Sequence, residues 1–137
     1  MAIIGGAGNP VGGSFTGAAE ALEVIGDHAY AMSGSFASAG GGSADTTYLN
    51  FTSGNFYFVG TLQIYEKAAG SHERFAEVSF NGIDIIEIKG DTAPDWLENF
   101  PIDILIPPYT EVKVDAGSTD AAPFSAVLVG RIYRTRD

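Results

Sequence analysis

The chain has no cysteine. Disulfides and thiolate metal centres are therefore excluded, and a cysteine nucleophile is impossible. Basic residues are scarce. Seven Lys and Arg stand against seventeen Asp and Glu, for a formal net charge of −10. That is too little positive charge to line a phosphate track, so nucleic acid is not an expected partner. An anionic membrane would repel such a surface. No apolar run approaches the length of a membrane span. The opening "MAIIGGAG" has no basic n-region and only a very short apolar run, which does not match a signal peptide. A long apolar helical period is also missing. What remains is 137 residues, 45% of them hydrophobic, enough for one domain with a real core.

The sequence divides unevenly. The first seventeen residues hold six glycines and one proline. Such a segment loses too much backbone entropy to order itself alone. Residues 1–21 are read as an extended arm and 22–137 as a single β-domain. The arm's apolar residues Ile3, Ile4, Val11 and Phe15 gain nothing unless they dock. The composition fits a docking arm or a plain disordered terminus.

Beyond the arm, "AAEALEVIG" (Ala18–Gly26) can open as one helical turn. Period-two alternation then takes over. Tyr30, Met32 and Phe36 share one expected face, and "TTYLNF" is a short strand. In "FYFVGTLQIY", Phe56, Phe58, Leu62 and Ile64 fall on one side and Tyr57, Thr61, Gln63 and Tyr65 on the other. "RFAEVSFNGIDIIEIK" reads as a hairpin on Asn81-Gly82, with Phe80 opposite Ile83 and Val78 opposite Ile85. "GDTAPDWLEN" is a long connection and "DAGSTDAAP" a turn. In the last strand Phe124, Ala126, Leu128 and Ile132 share a face, while Gly60 and Gly130 mark a close approach, bulge or bend.

About eight strands at short spacing predict an all-β, antiparallel β-sandwich, jelly-roll-like. Proline cannot sit in a central strand, so Pro107-Pro108 inside "PIDILIPPYTEVKV" predicts a corner where the chain changes sheets.

Few motifs suggest chemistry. "GNPVGGS" has glycine spacing like a phosphate loop, but Ser14 stands where lysine is needed and no βα context surrounds it. His28 adjoins Asp27 and His72 adjoins Glu73, yet neighbours in a strand point to opposite faces. No HExxH or G-x-S-x-G is present. Loop carboxylates at Asp91, Asp95, Glu98, Asp115 and Asp120 lack the EF-hand spacing. The expectation is no enzyme, no catalytic residue, no metal and no cofactor.

The remaining signal is apolar side chains on faces that should be wet: Tyr57, Val59, Val127, Val129 and Tyr133. These are the expected subunit-interface residues.

The order "TSGNFYFVGTLQI", then a hairpin, then "IDILIPPYTEVKV" and "FSAVLVGRIY" resembles small β-sandwich virion proteins of tailed bacteriophages. The likeness runs from Asp27 to Arg134. It rests on the F-T-x-G-N turn, the I-I/L-I-P-P-x-T-E-V corner and the G-R-x-Y terminus, none of them catalytic. It implies a jelly-roll-like fold, a place in the virion and a homotrimer. A capsid decoration (cement) protein is the leading expectation. It would be made in the host cytoplasm and placed on the capsid surface, with the major capsid protein as partner. Ile3, Ile4, Val11 and Phe15 would bind that partner. The alternative is a receptor- or glycan-binding module of a fibre or tail, with Trp96 and Tyr109 stacking on sugars.

Overall fold

The computed structural model describes residues 18–66, 73–90 and 100–134. These form ten strands: β1 (Glu23–Ile25), β2 (His28–Met32), β3 (Phe36–Ala37), β4 (Thr46–Thr52), β5 (Phe56–Glu66), β6 (Arg74–Phe80), β7 (Ile83–Gly90), β8 (Phe100–Ile106), β9 (Glu111–Ser118) and β10 (Pro123–Arg134). One sheet runs β1-β2-β10-β5-β8, with β3 continuing β2 along β10; the other runs β4-β9-β6-β7.

The pairing is nested. β6 pairs with β7, β5 with β8, β4 with β9, and β2 with β10, all antiparallel. Successive pairs alternate between the sheets. The chain is thus one long double ribbon, folded at Asn81-Gly82 and rolled over itself, which is the jelly-roll arrangement. The expectation of about eight strands matches the eight of the ribbon. β1 and β3 are additions that the sequence reading did not separate.

Two signals placed the closed end of this ribbon and one of its corners. Asn81 and Gly82 have φ of 53° and 83°, as a type I′ turn requires. Pro107-Pro108 carries the chain from β8 in one sheet to β9 in the other. The corner is stapled to the β4–β5 crossing beside it. The Ser53 hydroxyl donates to the Pro107 carbonyl at 2.7 Å and accepts from the Thr110 amide at 2.8 Å. The Tyr109 amide donates to the Gly54 carbonyl.

The core lies between the sheets. Phe56, Phe58, Leu62 and Ile64 of β5 are buried, as are Phe124, Ala126, Leu128 and Ile132 of β10. They meet Leu49, Phe51, Val78, Val112 and Val114 from the other layer in one cluster. Burying each large side chain contributes roughly 1.5–3 kcal/mol. Gly60 and Gly130 are direct partners in the ladder. A Cβ on either would sit 2.3 Å from a carbonyl oxygen of the facing strand and under 3 Å from the Phe58 ring. The pair is therefore a close approach, capped by an aromatic ring.

Other expectations change. Ala18–Gly26 forms no helical turn. Ala19 makes a parallel bridge to Leu49 on the open side of β4, and β1 returns into β2 through Gly26-Asp27. Gly26 has φ +62°, which suits the first central position of a type II′ turn. In β2 the small residues Ala29 and Ala31 are buried, and Tyr30 and Met32 are the more exposed. The stretch from Asp115 is not all turn, because β9 continues to Ser118.

The hairpin register also differs by one residue. Phe80 faces Ile83 and Ser79 faces Asp84, but Val78 faces Ile86, not Ile85. A bulge at Ile85 shifts the phase. It turns Ile86 and Ile88 toward the core and leaves Ile83 and Ile85 exposed. Bulges on edge strands twist them away from unwanted pairing.

Candidate functional site

Alternation along the six-stranded sheet fixes what its outer face shows. Across the middle, Tyr30, Val129, Thr61 and Asp103 follow one another from β2 through β10 and β5 to β8. One row on, His28, Arg131, Val59 and Leu105 are neighbours. The next row the other way is Met32, Val127, Gln63 and Pro101. Tyr57 and Tyr133 pair at one end of the face, and Ser125 and Tyr65 at the other.

Large apolar side chains share this face with Thr61, Gln63, Asp103, His28 and Arg131. Val59 is 43% exposed, Val129 51%, Leu105 53% and Tyr133 53%. Ile25 of β1 extends it. Of the five residues expected at an interface, Tyr57, Val59, Val129 and Tyr133 are exposed here, and Val127 is half-buried. The sequence reading missed Leu105, Tyr30, Met32 and Ile25. Leu105 could have been found, since it alternates out of phase with Ile104 and Ile106. A shallow groove between β5 and β8 follows Val59, Thr61, Asp103 and Leu105. The Thr61 hydroxyl donates to Asp103 across it.

The outer face of the four-stranded sheet is the reverse. Thr47, Asp115, Glu77 and Glu87 form one row; Asn50, Lys113, Ser79 and Asp84 form another. Carboxylate oxygens of Glu77, Asp84 and Glu87 lie within 4.8 Å of one another, a spacing that could hold a divalent cation. Burial pushes the Glu77 carboxyl up, and Asp84, Glu87 and Asp115 push it further. Asp115 is also raised by burial, against the pull of the Thr47 hydroxyl, which donates to it at 2.7 Å.

Histidine chemistry finds little support. Asp27 and His28 do meet, with Nδ1 3.0 Å from a carboxylate oxygen, contrary to the expectation from strand alternation. Asp27 lies in the β1–β2 turn, so the alternation rule does not reach it. The partnership with Arg131 holds the Asp27 carboxyl below its usual value. Both Asp27 and His28 are exposed. Buried Tyr48 donates to the Phe36 carbonyl and stacks on the Phe36 ring; burial pushes its phenol up to about 12, a packing role.

Tyr109 stands on the proline corner, 66% exposed, with φ +53°. His72, Asp91, Asp95, Trp96, Glu98 and the arm residues Ile3, Ile4, Val11 and Phe15 lie outside the described residues. Comparison with protein-family models, with curated proteins and with solved structures gives no match.

Proposed function

We propose that this chain is a structural virion protein, a capsid decoration (cement) protein that works as an oligomer. One observation carries the reading: the two outer faces of the jelly roll have opposite character. The four-stranded face is mainly acidic and polar, while the six-stranded face exposes Tyr57, Val59, Leu105, Val129 and Tyr133 among its polar residues. A sandwich facing water on both sides has no use for the second. A patch of this kind marks a protein interaction surface.

The face can be sized. β5 runs about 26 Å from Tyr57 to Tyr65, but β1 and β2 are only three and five residues long, so the five strands cover about 500 Å². A standard interface takes about 800 Å² from each partner, so most of one is already present. In this reading Tyr57, Val59, Val127, Val129 and Tyr133 meet neighbouring subunits. The arm, whose chain joins the sandwich beside β4 at Ala19, engages the major capsid protein by strand addition. The action is mechanical: more buried interface lets the shell withstand more pressure and heat. Virions lacking the protein are expected to lose heat and osmotic resistance and to regain it when the protein is added back. Unchanged resistance would overturn the reading.

A second reading, a glycan-binding module of a fibre or tail, draws on Tyr109. A non-glycine residue at positive φ stores strain that is often kept for a site. A glycan array tests it: hits lost on Tyr109→Ala would favour it, and a blank array would dismiss it.

A further inference from the structure

A second exposed apolar patch lies on the other sheet. Ile83 is 70% exposed beside the turn, and the bulge in β7 leaves Ile85 45% exposed near the tip of the β6–β7 hairpin. Both belong to an edge strand: Ile83 stands opposite Phe80 at the open end of the core side, while Asp84, Glu87 and Lys89 line the outer side. Isoleucine on a hairpin tip gains nothing in water. The tip is held firmly: the Asn81 side chain accepts the Glu111 amide at 2.9 Å, and the Asn81 amide donates to the Glu111 carbonyl. It is a rigid apolar projection with an acidic flank.

The six-stranded face offers its complement. It exposes Val59, Leu105 and Val129, and it carries Arg131 beside Val59. Arg131 holds Asp27, but a guanidinium has five N–H donors and one such contact leaves others for an incoming carboxylate. The two patches belong to different layers of the sandwich, so they do not face one partner in the same direction. A contact between different patches of identical chains is head-to-tail, and such contacts form a ring when the rotation closes and an open filament when it does not.

We infer that copies of this chain associate head to tail, Ile83 and Ile85 of one hairpin packing on the Val59, Val129 and Leu105 field of the next copy. Asp84 and Glu87 then approach Arg131 of that copy. This rests on the reading of the six-stranded face as a subunit interface, and it names the part of the neighbour that fills it. The net charge of −10 favours this arrangement over stacking of the acidic faces, which would repel.

The test uses two variants of the full chain, Ile83→Asp and Val129→Asp, both at exposed positions, with circular dichroism to establish folding. Leu105→Lys replaces the second should it fail to fold. Native mass spectrometry is run on each alone and on an equimolar mixture in which one carries a mass label. Each alone is expected to fall to the single-chain mass of 14.3 kDa. The mixture is expected to form a pair of one chain of each kind, because one intact hairpin still finds one intact face. If Ile83→Asp stays oligomeric while Val129→Asp does not, the face is an interface but the hairpin is not its occupant, and this inference alone falls. If the mixture yields no mixed pair, the contact is not head-to-tail and the inference falls. If the unaltered chain is itself monomeric, the underlying reading falls with it.

Discussion

Arg74 is the largest fully buried side chain among the described residues, and its Nε lies 2.6 Å from Glu66 Oε1. Glu66 ends β5 in one sheet and Arg74 opens β6 in the other, so the ion pair clips the two layers together. Removing one partner leaves a buried charge. Arg74→Met is expected to cost about 3–5 kcal/mol in urea unfolding, and the double change with Glu66→Leu to recover most of it. A double variant no more stable than the single would show that the pairing is not what holds this corner. Glu77 and Asp115 act in the opposite sense. Their folded pKa values are raised, so their contribution is full below the ordinary carboxylate value and is lost as pH rises through the raised one. At neutral pH the row is mildly destabilising. Glu87→Gln should therefore raise Tm at pH 7 by about 2 °C, for roughly 0.5 kcal/mol of relieved repulsion. The gain should vanish near pH 4 and shrink in high salt. Asp27 runs the other way: its pKa is lowered, and its support is lost as pH falls below the ordinary value.

The strands whose two faces differ in polarity were legible from the sequence. In β5, Phe56, Phe58, Leu62 and Ile64 alternate with more polar partners, and all four are buried. Asn81-Gly82 and Pro107-Pro108 were legible because positive φ and a missing donor are local properties of those residues. β2 and β7 were not. In β2 both faces are apolar, so alternation does not say that the side of Ala29 and Ala31 is the inner one, and Phe36, expected to share the face of Tyr30 and Met32, stands opposite buried Phe124 on the core side. In β7, "IDIIEI" satisfies two phases at once, and only a bulge chooses between them. The choice has an energetic signature. Ile85→Asp should change stability by no more than about 0.5 kcal/mol, as surface changes do. Ile86→Asp, which places a charge against the core, should cost about 2 kcal/mol or more. Chemical denaturation of the pair reads the bulge directly, and equal costs would mean the strand lacks it.

At the scale of the molecule, the sandwich followed from strand count and spacing, but its winding did not. The first and last strands of the ribbon, β2 and β10, lie about a hundred positions apart in sequence, and no local signal states that Tyr30 faces Val129. For the same reason Tyr57, Val59, Val129 and Tyr133 could be picked out as misplaced apolar residues, whereas Leu105 and Met32 joined them only once the register placed all of them on one face. That face is the centre of the account. The most direct measurement is the solution mass of the full chain by light scattering, beside Val129→Asp. A trimer is expected for the unaltered chain and a folded monomer for the variant. A monomer in both, or an oligomer that Val129→Asp leaves intact, would contradict it.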